Sequence, residues 1–169
     1  MTDSPRIYVA SLSDYNAGRL HGVWIEADQD VSDIQEAVDD MLKDSREMIA
    51  EEYAIHDYEG FGPLHISEWD SLETVATIAE AIAEHGDAFA HYAEDRGDIK
   101  EAAESFEDAY IGEWPSMAEY VAEYFESTHD IPSDLAPYID YESIARDWET
   151  DGYNTARAKN GNVYIFQSV

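Results

Sequence analysis

The sequence predicts an α+β protein laid out as an elongated run of three small consecutive domains. Three observations carry this reading. Short β-branched and aromatic runs lie near both ends, helical periodicity fills the middle, and Gly/Pro punctuation falls between them. The expected domains are residues 1–61 (a small sheet plus a helix), 62–112 (helical) and 113–169 (helices plus a β-hairpin).

In the first domain, Ile7–Leu12 reads as a strand, Ser13–Gly22 as a polar loop and Val23–Glu26 as a second strand around Trp24. Ser32–Ala50 has helical period, with Ile34, Val38, Met41, Leu42, Ser45 and Ile49 on one stripe. Tyr53–Tyr58 returns as a third strand. Gly60-Phe61-Gly62-Pro63 marks the first boundary. In the middle domain, Leu72, Val75, Ala76, Ala79, Ile82 and Ala83 form a stripe that Gly86 stops. A short helix around Ala88–Glu94 ends near Gly97, and Ile99, Ala102, Ala103 and Phe106 mark another. Trp114-Pro115-Ser116 opens the third region, where Ser116 and Glu119 have capping-box spacing. Met117, Tyr120, Val121, Tyr124 and Phe125 form the buried face of its first helix, and Tyr141, Ile144, Ala145 and Trp148 that of its second. Tyr153–Ala158 and Asn162–Gln167 flank Lys159-Asn160-Gly161 as a hairpin. The four tryptophans, Trp24, Trp69, Trp114 and Trp148, read as core anchors.

Charge is the outlier in the composition. Thirty-nine Asp and Glu oppose nine Lys and Arg over 169 residues, for a formal net charge of −30. With 44% hydrophobic and 12% aromatic residues the chain has ample material for packed cores, so disorder does not account for the acidity. An acidic surface repels nucleic acid and anionic membranes and attracts the basic grooves that hold nucleic acid. Cysteine is absent, which excludes disulfides and thiolate metal sites. No secretory signal or membrane-length apolar run is visible, so the expected location is the cytoplasm.

No Lys or Arg occurs from Glu47 through Asp95, or from Glu101 through Ala145. The acids in and around these stretches recur at helical spacing. Asp33, Glu36, Asp40, Asp44, Glu47 and Glu51 step along the first long helix, and Glu73, Glu80 and Glu84 along the second. Glu101, Glu104 and Asp108 follow on another, and Glu119, Glu123 and Glu126 in the third region. Ordinary surface helices intersperse signs, because like charges at this spacing repel. One carboxylate per turn is one negative charge per ~5.4 Å of helix, against one per ~1.7 Å of duplex axis; several such helices together approach a duplex. Thirty net charges correspond to about 50 Å of duplex. A compact sphere of this chain is only ~40 Å across, so an elongated body fits better. A salt-adapted surface is also acid-rich and lysine-poor, and composition supports both readings equally.

Other chemistry is poorly represented. The sequence lacks the phosphate-loop, dinucleotide, zinc-protease and serine-hydrolase motifs. Asp28-Gln29-Asp30-Val31-Ser32 resembles the start of a calcium loop, but Asp33 stands where such a loop needs Gly and Asp39 where it needs Glu. The histidines, His21, His56, His65, His85, His91 and His129, show no metal-ligand spacing. With so many acids, a glycosidase-like carboxylate pair has no discriminating value. No catalytic residue, cofactor or metal is expected.

Ile7–Asp28 (IYVASLSDYNAGRLHGVWIEAD) resembles the opening of the ArdA antirestriction family, including the Tyr15-Asn16-Ala17-Gly18 turn and the Gly22-Val23-Trp24 strand. Glu52–Glu59 (EYAIHDYE) is similar to that family's most recognisable internal stretch, and Pro137–Asp147 (PYIDYESIARD) to a third block. The stretch between Ser67 and Trp114 matches more loosely. The resemblance implies three small domains in a curved, dimeric molecule that mimics bent B-form DNA and blocks type I restriction–modification enzymes. It implies neither catalysis nor a cofactor. The fifteen acids named above are then the candidate phosphate mimics, and the DNA-binding groove of the methyltransferase and specificity subunits is the expected partner. For the homodimer interface the expectation is an edge strand carrying Val163, Tyr164, Ile165 and Phe166. The rival readings are a salt-adapted acidic binding protein with an unrelated partner and, behind it, a carboxylate-pair hydrolase.

Overall fold

Residues 4–169, which this computed structural model describes, hold seven α-helices and two three-stranded antiparallel sheets. The α+β class expected from the sequence holds. The chain divides into two compact units, Met1–Ala103 and Glu104–Val169.

The first unit runs β1 (Arg6–Ser11), α1 (Leu12–Asn16), β2 (Gly22–Glu26), α2 (Val31–Lys43) and β3 (Tyr53–Glu59). β1 is the central strand, with β2 and β3 antiparallel on either side. Ile7 and Val9 are fully buried while Arg6 and Tyr8 are not, the period-two signature of a strand with one face on a core. Gly22 faces the β1 backbone so closely that a Cβ would lie 2.4 Å from the Val9 carbonyl oxygen. Ile34, Val38 and Met41 of α2 are buried, and the helix packs against β1 and β2. Beyond β3 the chain folds back through buried Phe61, and the Ile55 N–H donates to the Glu68 carbonyl at 3.1 Å. Then come α3 (Leu72–His85) and α4 (Asp87–Arg96), separated by Gly86 at φ 74°. Ser71 caps α3, its hydroxyl accepting the Thr74 N–H at 3.1 Å. α3 packs on α2 and α4, and Val75, Ile78, Ile82 and Phe89 fill the space between them.

α5 (Ile99–Ala109) contains the division between the units. The second unit continues with β4 (Tyr110–Trp114), α6 (Met117–Thr128), α7 (Tyr141–Thr150), β5 (Tyr153–Arg157) and β6 (Val163–Gln167), its sheet ordered β4-β6-β5. Ser116 caps α6, accepting the Glu119 N–H at 3.1 Å, which is the hydroxyl half of the expected capping box. Fully buried side chains are few. Met117, Val121, Ala145 and Ile165 form the centre, and half-buried aromatics complete it. Trp148 stacks on Tyr153 with centroids 5.0 Å apart, and Trp114 meets Tyr120 at 4.7 Å.

The structure departs from the sequence expectation at five places. Ser13–Gly22 is not all loop, because Ser11 caps α1 by accepting the Asp14 N–H at 3.3 Å. The helix expected over Ser32–Ala50 begins at Val31, with Asp30 in the cap position, and stops at Lys43. Side-chain contacts to α1 hold its expected last turns, so Ile49 points outward and is 72% exposed. Tyr110–Trp114 is a strand that the helical stretch before it concealed. β6 is the central strand of its sheet instead of an edge: β4 and β5 occupy both ladders, Ile165 and Phe166 are buried, and Val163 and Tyr164 are half-buried. Finally, Trp69 is 66% exposed and Trp24 37% exposed, so only Trp114 and Trp148 serve a core.

Candidate functional site

The acidic rows share helices with the core stripes just described, and opposite faces of each helix separate them. On α2, Asp33, Glu36 and Asp40 face solvent while Ile34, Val38 and Met41 are buried. Asp44 sits exposed at its C-cap, and Glu47 and Glu51 lie beyond its end, so that row bends off the helix after Asp40. On α3, Glu73, Glu80 and Glu84 are exposed opposite Val75, Ile78 and Ile82. On α5, Glu101, Glu104 and Asp108 are exposed opposite Ala102, Phe106 and Ala109. On α6, Glu119, Glu123 and Glu126 are exposed opposite Met117 and Val121. Of the fifteen candidates, Glu47 alone is half-buried, and the other fourteen are exposed.

The few cations are largely occupied by the protein's own groups. Arg6 meets Glu59 at 2.6 Å and lies over the Trp24 ring at 4.8 Å. Lys43 reaches Asp40 at 3.3 Å, and Arg96 reaches Glu101 at 3.1 Å while lying 5.1 Å from the Tyr92 ring centroid. Arg146 donates to the Ser143 hydroxyl at 2.8 Å. Exposed pairs of this kind contribute little to stability. Their effect here is on the field: they neutralise a few acids and leave the rows predominantly negative.

Some carboxylates are held in place. Glu123 accepts the Trp114 indole N–H at 2.8 Å. Glu113, which periodicity does not single out, accepts from Asn160 at 2.7 Å and Asn162 at 2.8 Å. Those two amides hold its carboxyl below the usual glutamate range. Asp140 caps α7, accepting the Ser143 hydroxyl at 2.7 Å and its N–H at 3.0 Å, and these bonds likewise lower its pKa. These bonds keep the Glu113 and Asp140 carboxylates ionised and in place. The segment that resembled a calcium loop is, from Val31 onward, the first turns of α2.

Asp14 behaves differently. It is the one buried acid among the described residues, 1% exposed. The Ser45 hydroxyl donates to its carboxylate, and Arg19 Nε lies 3.5 Å from it. Arg19 also pairs with Glu47, while His21 Nε2 is 2.7 Å from the Met41 carbonyl oxygen. The Ser45 bond, then Ser11, His21 and Arg19, hold the Asp14 carboxyl below the aspartate range against the opposing effect of burial. Sequence reasoning passed over this group because Asp14 and Ser45 are far apart in the chain and neither lies in an acidic row. Its role is to anchor the segment after α2.

No curated protein matches this chain. A family model described as "Antirestriction protein (ArdA)" matches residues 7–162. That span takes in the first sheet from Ile7 onward, β4 and β5 of the second sheet and all four acidic helices, and stops just before β6. The chain belongs to the ArdA family of antirestriction proteins.

Proposed function

We propose that this protein inhibits type I restriction–modification enzymes by taking the place of B-form DNA in the groove formed by their methyltransferase and specificity subunits. The observation that carries the reading is the recurrence of exposed carboxylates at turn spacing on α2, α3, α5 and α6, with Arg6, Arg19, Lys43 and Arg96 paired to the protein's own carboxylates. An enzyme that grips duplex with Lys and Arg derives most of its sequence-independent affinity from phosphates. Carboxylates on packed helices satisfy the same cations and present no base edges. No catalytic step or cofactor enters this reading, and the site of action is the cytoplasm, where such enzymes meet DNA. On this reading the chain comprises three modules divided at 61/62 and 112/113, which carry acidic rows on α2, on α3 and α5, and on α6. The protein acts as a homodimer, which doubles the mimicked length; light scattering across a dilution series checks this.

The test is competition. Titrated into a type I methyltransferase bound to labelled duplex, the protein displaces the DNA, and displacement weakens steeply with added salt. Failure to displace duplex, or displacement indifferent to salt, would refute the reading.

A further inference from the structure

Ile49 belongs to the apolar stripe that periodicity assigns to α2, yet it is 72% exposed and Met48 beside it is wholly exposed. Exposed apolar side chains are ordinary on a loose loop. This segment is not loose. Ser45 donates to the buried Asp14 carboxylate, Glu47 pairs with Arg19, and its N–H donates to the Ser45 hydroxyl at 3.0 Å. The Ser13 hydroxyl donates to the Ile49 carbonyl at 3.1 Å. Four polar contacts therefore fix a backbone whose two largest apolar side chains point at water. Fixing them in advance lowers the ordering cost of any partner that covers them. Leu20, next to the stapled Arg19, adds a further apolar side chain at 70% exposure.

Beside this segment lies an open groove of about 520 Å³. Leu42, Met48 and Ile49 supply its apolar lining, and Asp39, Glu47 and Glu51 supply carboxylates. Its single cation, Lys43, is paired with Asp40 at 3.3 Å. The groove is thus net negative with apolar side chains in its lining, complementary to a chain segment carrying Lys or Arg next to an apolar side chain. DNA lacks such a feature, and a pure phosphate mimic has no use for one.

We infer that the groove between α2 and the Ser45–Glu51 segment is a docking site for a basic, apolar-bearing surface segment of the inhibited enzyme, giving the inhibitor a hold that DNA does not have. This rests on the reading under "Proposed function" and adds to it an apolar contact that salt does not screen. Electrostatic contacts weaken as salt rises, whereas apolar burial does not. The two contributions therefore separate in a salt series.

The experiment compares the full-length protein with the M48S/I49S and M48L/I49V variants in displacing labelled duplex from a type I methyltransferase at several salt concentrations. Both side chains are exposed, so melting temperatures stay close to the parent's. M48S/I49S is expected to need at least tenfold more protein for half displacement, about 1.4 kcal/mol, with an unchanged salt slope. M48L/I49V behaves as the parent. Equal potency of M48S/I49S and the parent at every salt overturns the inference while leaving the DNA-substitute reading intact. A loss that follows weakened self-association in sedimentation also overturns it, because the occupant is then a second copy of this chain. Failure of the parent itself to displace duplex removes both.

Discussion

Neutralising the α6 row tests whether carboxylates act through their collective field. The perturbation is E119Q/E123Q/E126Q, compared with D134N, a single exposed acid outside the helical rows. Glutamine keeps the oxygen that accepts the Trp114 indole N–H at position 123, so the charge goes and the packing stays. The effects on folding nearly cancel. Glu119/Glu123 and Glu123/Glu126 are like-charge neighbours on one helix, and relieving each pair returns about 0.2–0.5 kcal/mol. Glu119 lies in the first turn, where losing its interaction with the helix dipole costs about 0.3–1 kcal/mol. Thermal stability should therefore barely move. Binding behaves differently. An exposed ion pair contributes about 0.2–1 kcal/mol, so three lost pairs weaken displacement of labelled duplex by about threefold to a hundredfold. The single D134N change costs about fivefold at most by the same arithmetic. The assay is anisotropy competition at fixed salt. If the triple variant, folded and equally stable, inhibits no worse than D134N, the collective-field argument fails.

The remaining predictions concern the scaffold. Asp14's folded pKa lies below its unfolded value of about 3.9, so its contribution to stability is present above that value and is lost as pH falls through the lowered folded value. Ser45→Ala raises the folded pKa and moves the acid-side loss to higher pH; urea midpoints between pH 7 and pH 2.5 that superimpose with the parent's contradict this. Gly22→Ala forces β2 away from the Val9 carbonyl and destabilises the first sheet, with loss of hydrogen-exchange protection in β1 and β2 as the readout and unchanged protection as the contrary result. Ser116→Ala removes the α6 cap and costs about 1 kcal/mol in urea unfolding; an unshifted midpoint would show that the cap does not contribute.

The class of the fold, most of its elements and the acidic rows are legible in the amino-acid order alone. Each depends on periodicity, which is local. Ile7 and Val9 alternate as a strand requires, Val75, Ala79 and Ile82 return every turn as α3 requires, and a glutamate row opposite such a stripe can only face water. Ser71 and Ser116 mark helix starts because a cap involves residues within one turn of each other. Features that depend on residues distant in the chain are settled only by packing. Propensity carries α2 on to Ala50, but Asp14 and Arg19 hold Ser45 and Glu47 off the helix, so Ile49 turned out to solvent instead of in. β6 reads as an edge until β4, hidden behind a helical stretch, pairs with its far side. Trp69 reads as a core anchor and is exposed, because burial is settled by what packs over a side chain and not by the side chain's own affinity for an apolar environment. The field of this protein is written in its sequence, whereas the burial of Asp14 and the apolar pair held at the surface beside it come from the fold.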